Sequence, residues 1–182
     1  MSLWGNDIKP KNLTDAEKKE VYATKQGWVR EAGSVLSGNG NTGADPEVLV
    51  AISNLSANMG AANITEIEFV TTSFDKSDGG NIDVLVRFNE PVTVTGTPRV
   101  SITNGNQGSG TGRGPHLANY LSGSTTNELT FRCTIGAANS ATNAGDILVI
   151  GTNATALNSG TIKDTGEGTV ATITNSSAIG TA

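Results

Sequence analysis

The chain contains few aromatic residues and almost no cysteine or histidine. Of its 182 residues only 4% are aromatic, and Cys133 and His116 are the single cysteine and the single histidine. One cysteine excludes an internal disulfide and a thiolate metal cluster, and a catalytic thiol needs a base that one histidine at an unrelated position does not supply. Paired carboxylates in a catalytic arrangement are not apparent either. We therefore predict a protein that is not an enzyme and that holds no cofactor or metal.

The chain also lacks excess positive charge and long apolar segments. Its formal net charge is −5 and its pI is about 4.8. Nucleic acid and anionic membranes attract basic surfaces, so neither is expected as a partner. No apolar run is long enough to span a bilayer, and Met1 to Trp4 do not have the pattern of a secretion signal. We expect a soluble protein whose partners are other proteins.

The most regular pattern lies between Asn81 and Thr103. Apolar residues occupy every second position there and polar residues lie between them, which is typical of strands with one buried face; the apolar positions begin with Ile82, Val84, Val86 and Phe88. Glu90-Pro91 and Gly96-Thr97-Pro98 divide this stretch into three predicted strands. About seven or eight short strands at roughly 10-residue spacing follow from Ile64 onward, which predicts an all-β fold, a β-sandwich with Greek-key connections.

The first 62 residues differ from the rest in their pattern of polar and apolar residues. Thr14 is predicted to cap a short helical turn with Glu17 three residues later. Two β-prone stretches, 21–30 and 47–52, are interpreted as the arms of a small hairpin or of a sheet extension, and 53–63 as a linker or loop. We predict an N-terminal anchoring arm and β-hairpin over 1–62 and a β-sandwich domain over 63–182. The polar segment before Val21 has few apolar groups, so we expect a neighbouring chain to order it.

Aromatic residues near the N-terminus are the candidate partner-binding residues. Trp4, Tyr22 and Trp28 lie in the part of the chain with the most aromatic character. For Tyr22 and Trp28, packing against the β domain and insertion into a neighbouring subunit are both open. Trp4 has few apolar neighbours in the sequence, which gives more weight to insertion into a partner.

Three further motifs have mainly structural interpretations. Asp75, Asp78, Asn81 and Asp83 carry oxygen atoms at spacings similar to a calcium loop, but the terminal glutamate of an EF-hand is missing and a solvated acidic turn is favoured. His116 is expected at the surface without a catalytic role. Cys133 alternates with Phe131 and is expected to be a small buried apolar side chain.

Three segments resemble one family of extracellular domains. VRFNEPVTVTGTPRVSITNG, ANYLSGSTTNELTFRCTIGAAN and ALNSGTIKDTGEGTVATI occur in the order found in bacterial immunoglobulin-like repeats with the pattern V-x-F-[ST]-E-x-V-x-V-T-G-T-P, and they cover about Ile64 to Ser176. The resemblance implies an immunoglobulin-like β-sandwich with Greek-key connections. It implies adhesion, spacing or decoration as the function, and no catalytic residues.

A second resemblance concerns the N-terminal region. MSLWGN, YATKQGWV and EVLVAISNLS are similar to the N-terminal regions of structural proteins from tailed bacteriophages of marine bacteria. The resemblance implies a virion protein, assembled in the host cytoplasm. Its expected role is a capsid decoration protein docked on the shell through the N-terminal region.

Several partners and alternatives follow from the two resemblances together. The expected partners are the major capsid protein or other virion subunits, further copies of the chain, and a host surface glycan or protein. A neck, tail or fibre attachment subunit is an alternative within the virion. A cell-surface adhesion or carbohydrate-binding module is an alternative of another class.

Overall fold

Strands make up most of the regular structure. The computed structural model describes residues 14–34, 38, 40–57, 59–75, 77–105, 114–137 and 146–176. This part of the chain contains one short helix, α1 (Asp15–Glu20), and a 3-10 helix, Leu55–Ala57. Its strands are β1 Val21–Thr24, β2 Gly27–Arg30, β3 Glu47–Ala51, β4 Ile64–Phe69, β5 Gly80–Thr95, β6 Arg99–Asn104, β7 His116–Ser122, β8 Thr126–Ile135, β9 Leu148–Ala156 and β10 Thr161–Asp164. The all-β prediction is confirmed.

The larger of two sheets has seven strands. Its order is β10-β5-β8-β7-β6-β9, and β4 also pairs with β5. All of its described pairings between strands are antiparallel. The sheet curls into a near-barrel, so its two faces are an enclosed apolar interior and an outer polar surface. This strand order establishes the all-β class. It does not establish an immunoglobulin-like Greek key.

Strand β5 is the longest element and differs from the prediction. The sequence predicts two strands separated at Glu90-Pro91, but β5 continues through both positions. The interruption appears instead as an irregularity in the pairing with β8, between Arg87 and Val92. On its other side β5 pairs first with β4 and then with β10. Proline has no N–H to donate, so its place at an irregularity between two pairings leaves no ladder hydrogen bond broken.

The C-terminal segment 169–176 joins the two edges of the large sheet. Near β4, Thr172 donates its N–H to the carbonyl of Ala62 at 2.7 Å and forms a bridge with Asn63. Near β9, Asn153 donates its N–H to the carbonyl of Asn175 at 3.1 Å. Because the segment bonds to both edges, the curled sheet is closed.

The interior of the near-barrel is the main hydrophobic core. The alternating residues of β5 from Ile82 to Phe88 are at most 1% exposed, as their spacing predicts. Removing side chains of this size from water contributes about 1.5–3 kcal/mol each. The core also includes Ile64, Ile67, Val92, Val100, Ile102, Ala118, Leu129, Phe131, Ile150 and Ile162. We call residues 62–176 the β domain.

The smaller sheet has the order β1-β2-β3, one strand more than the predicted hairpin. The stretch 21–30 is not one arm, because the chain turns back at Lys25-Gln26 and continues as β2. Gly27 makes this possible: its φ is +132°, and a Cβ there would lie 1.9 Å from the carbonyl oxygen of Val50. Only glycine fits such a conformation and such a close approach. We call residues 14–57 the N-terminal unit.

Two local predictions within or beside this unit have clear outcomes. The capping box is confirmed, since the Thr14 hydroxyl accepts from the N–H of Glu17 and the Glu17 carboxylate accepts from the N–H of Thr14. The predicted linker 53–63 is more structured than expected. It contains the 3-10 helix, and Leu55 is 2% exposed.

Candidate partner-docking site

The N-terminal unit has a small core of its own, and Trp28 lies in it. Trp28 is 2% exposed and packs with Val21, Ala23 and Leu55. Trp28 pairs with Ala23 across β1 and β2, so the two side chains share one face of the small sheet. Trp28 therefore packs inside the N-terminal unit itself, which is neither of the two alternatives, packing against the β domain or insertion into a neighbouring subunit.

Tyr22 lies on the opposite face of the small sheet. It pairs with Val29, which is 1% exposed, and Tyr22 itself is half-buried. Burial raises the pKa of its phenol, and the nearby carboxylates of Glu31 and Glu128 raise it further. This face is therefore directed toward charged groups where β1 packs against β5. Trp4, the third candidate, lies outside the described residues.

The most connected charged side chain is Arg87, on the outer face of β5. Its Nε lies 2.9 Å from Glu128 Oε1, and its Nη1 lies 2.6 Å from Glu66 Oε2. Glu66 belongs to β4 and Glu128 to β8, and both are cross-strand partners of Arg87. The guanidinium thus connects three neighbouring strands of the β domain.

Arg87 also reaches the N-terminal unit. Its Nη1 donates to the backbone carbonyl of Lys19 at 3.3 Å, and its Nη2 lies 3.6 Å from Glu31 Oε2. Lys19 in turn pairs with Glu66, with 3.1 Å between Nζ and Oε1. We call Arg87, Glu66, Glu128, Lys19 and Glu31 the Arg87 cluster. Through it, the end of α1 finds partners within its own chain. The expectation that a neighbouring chain orders the segment before Val21 stays a prediction.

Burial and charge act in opposite directions in the Arg87 cluster. Burial tends to lower the pKa of Arg87, but the carboxylates of Glu31, Glu128 and Glu66 outweigh it and the pKa is raised. Burial raises the pKa of Glu31, and the attraction of Arg87 offsets this only in part. The guanidinium therefore stays charged, while Glu31 holds a proton more readily than an exposed glutamate.

An open cleft of about 480 Å³ lies beside the Arg87 cluster, between the two sheets. Its lining includes Glu66, Glu68, Glu31, Lys19 and Arg87. Most of the carboxylates in this set already contact a cation within the chain. The cleft is thus a gap between the two units that is lined mainly by charged residues.

Most of the side chains considered as calcium ligands form hydrogen bonds within the chain. Asp83 forms two hydrogen bonds of 2.7 Å with the guanidinium of Arg132, and this contact lowers the pKa of Asp83. Asp75 accepts from the N–H of Ser77 at 2.8 Å, and Asn81 accepts from the hydroxyl of Thr134. In the described ranges, no group of three or more His, Cys, Asp or Glu side chains is arranged to hold a metal ion.

The single histidine and the single cysteine both lie in the β domain. The surface position predicted for His116 is wrong: it is 6% exposed, and its Nε2 lies 3.1 Å from Asn104 Nδ2. Burial lowers the pKa of His116. His116 is the first residue of β7 and shares the inward face of this strand with Ala118, so alternation extended by one step places it inside. Cys133 is partly buried against the core, as predicted, and burial raises its pKa.

The N-terminal unit has one uncovered sheet edge. In the described part of the chain β3 pairs only with β2, and Val48 on β3 is 50% exposed.

No helix in the described residues is long and apolar enough to cross a membrane. No protein-family model, no curated protein and no solved structure matches this chain. Its function is therefore inferred from its own residues.

Proposed function

We propose that this chain is a non-enzymatic virion structural protein, a capsid decoration (cement) protein. Its N-terminal region docks on the capsid shell, and its β domain, which we propose to be immunoglobulin-like, faces outward. The observation that carries the proposal is the division of the chain into two units with separate apolar cores. A division of this kind suits one unit that binds the shell and another that projects from it.

The N-terminal unit has features that suit docking. The free edge of β3 offers backbone hydrogen-bonding groups, and the half-exposed Val48 lies on the same strand. An exposed edge is a common place for another chain to add a strand. Tyr22 borders the Arg87 cluster at the base of this unit. Trp28 supports the unit from inside and is not proposed as a contact residue.

The first 13 residues are proposed to act with this unit. The end of α1, which follows them, is tied to the β domain through the Lys19 carbonyl. We propose that these residues, with Trp4 as their apolar anchor, add to the contact with the shell. A standard protein contact buries about 1,600 Å² in total. Repetition over a symmetric shell adds avidity to contacts that are individually modest.

The test is the copy number of this protein in purified particles, measured by quantitative mass spectrometry. We expect on the order of hundreds of copies for a shell protein, whereas about six to twelve would support a neck or tail subunit instead. Removal of residues 1–13 should release the protein from the particles. A matched truncation of residues 177–182 should leave it bound. Full retention after loss of the N-terminal arm would contradict docking through that arm.

Adhesion or carbohydrate binding is the proposal of another class. Sugar-binding surfaces commonly stack aromatic rings on the ligand, but Phe88 and Phe131 are fully buried and Tyr120 packs against Phe131. The described aromatic residues of the β domain thus favour the core over a glycan surface. Binding of the isolated protein to host glycans, with no copies in particles, would reverse this preference.

A further inference from the structure

The two apolar cores of the chain do not merge. The core of the N-terminal unit contains Val21, Ala23, Trp28 and Leu55, and none of these residues belongs to the core of the β domain. The junction between the units is therefore formed by other contacts. Apart from the Arg87 cluster, it includes the packing of β1 against β5 and a close approach of the Gly166 backbone to Ala57.

The ionic contacts across this junction are partly exposed on the side of the N-terminal unit. Arg87 and Glu66 are 14% and 12% exposed, and both belong to the β domain. Their partners in the N-terminal unit, Glu31 and Lys19, are 38% and 37% exposed. Salt screens exposed charges much more strongly than buried ones. The contacts that cross the junction are thus open to screening by salt, as is the contact between Arg87 and Glu128 within the β domain, where Glu128 is 37% exposed.

We propose that the Arg87 cluster is an ionic latch that holds the N-terminal unit on the β domain and that opens as ionic strength rises. When the latch opens, the N-terminal unit keeps its own small core and the remaining junction contacts of β1 and Ala57. A sheet of three short strands on so small a core is marginally stable in water. Opening therefore loosens β1 and β2, while the β domain keeps its fold.

The latch does not depend on the proposed docking function, because it concerns contacts within one chain. If docking occurs through the N-terminal unit, the latch also sets how firmly that unit is oriented relative to the outward domain. The chemistry of the latch is the same whether the partner is a shell, a neck or a tail.

The experiment is amide hydrogen exchange of the purified full-length protein, followed by mass spectrometry at constant pH. We expect Arg87→Gln to accelerate exchange in β1 and β2 by about 10-fold to 100-fold, the range that corresponds to the loss of one charged hydrogen bond, and to leave β7 and β6 unchanged. In the unaltered protein, raising the salt concentration from about 0.05 M to about 1 M should accelerate the same two strands severalfold.

Arg132→Gln is the matched control, because it removes the Asp83 pair from the same outer face without touching the N-terminal unit. It should leave β1 and β2 unchanged. The double variant Lys19→Gln/Glu31→Gln removes only the ionic contacts across the junction and should reproduce the effect of Arg87→Gln in part. Unchanged exchange in both test variants, or equal acceleration throughout the β domain, would overturn the latch.

Discussion

The N-terminal unit and the β domain are both built from strands, yet their stabilities have different sources. The β domain has eighteen buried apolar residues in one cluster, whereas the N-terminal unit has four among its described residues. Burial is the main favourable term in folding, so the β domain has the larger source of stability. The N-terminal unit has a much smaller apolar core and relies more on its contacts with the β domain. The difference shows that two sheets in one chain can be stabilised to very different degrees.

The largest expected effect comes from the β-domain core. Phe131→Ala should lower the free energy of unfolding by about 3–5 kcal/mol, because the fully buried ring packs edge-on against Tyr120 and its removal leaves a cavity. Chemical denaturation followed by circular dichroism measures this loss. Leu117→Ala on the outer face of β7, where the side chain is 39% exposed, is the control and should cost less than about 1 kcal/mol. Equal effects would contradict the assignment of the core.

Trp28→Ala should destabilise the N-terminal unit and leave the β domain intact. It empties the centre of the small core, which costs about 3–5 kcal/mol where the fold persists. The N-terminal unit should lose its protection against hydrogen exchange, while the denaturation midpoint of the β domain stays unchanged. Val48→Ala on the neighbouring strand, where the side chain is half-exposed, is the matched control. A fall of the β-domain midpoint as large as that of Phe131→Ala would mean that the two units unfold together.

Thr14→Ala tests how much the helix contributes to the N-terminal unit. The substitution removes the side chain that accepts from the N–H of Glu17, and loss of such a cap costs about 1 kcal/mol. Amide exchange within α1 should rise about fivefold. Thr14→Ser keeps the hydroxyl and should preserve protection. Identical exchange in the alanine and serine variants would show that the capping box does not stabilise the helix.

The smallest expected effect is a pH dependence of opposite sign in the two units. The pKa of Glu31 is raised, so its contribution to stability is present below the ordinary pKa of a glutamate and is lost as the pH rises through the raised value. The pKa of Asp83 is lowered, so its contribution is present above the ordinary aspartate pKa and is lost as the pH falls through the lowered value.

Glu31→Gln should therefore flatten the pH dependence of exchange in β1 and β2, after correction for intrinsic exchange rates. Asp83→Asn should instead reduce the acid sensitivity of β5 and β8 in the β domain. Denaturation and exchange series between about pH 3 and pH 7 would measure both slopes. A steeper slope in Glu31→Gln would contradict the raised pKa.

The sequence predicts the elements whose pattern is local. The alternation from Ile82 to Phe88 identifies both the strand and its buried face, and the spacing of Thr14 and Glu17 identifies the helix start. Both signals depend on neighbours within a few residues. The all-β class follows from the same kind of evidence.

The features that the sequence did not predict depend on pairing between distant segments. Arg87 contacts Glu31, Glu66 and Glu128, and each of these four residues appears in the sequence as an ordinary polar residue at a solvent-facing position. Their convergence follows from the register of β4, β5 and β8 and from the packing of the small sheet.

The sequence does not predict the division of 21–30 into two strands, because the turn at Lys25-Gln26 lacks the usual Asn-Gly or Asp-Gly signal. The role of Trp28 was open because composition does not determine which surface covers an aromatic ring.

The bonding of Asn175 has a consequence for how copies of this protein can crowd together. Its side chain accepts from the N–H of Ala154 and donates to the carbonyl of Gly151, each at 3.0 Å, so these groups of β9 are already satisfied. An unprotected margin of a sheet can recruit the same margin of another molecule and start a fibre. The asparagine thus satisfies backbone groups at this edge of the near-barrel, and we expect this edge not to pair with the same edge of another copy.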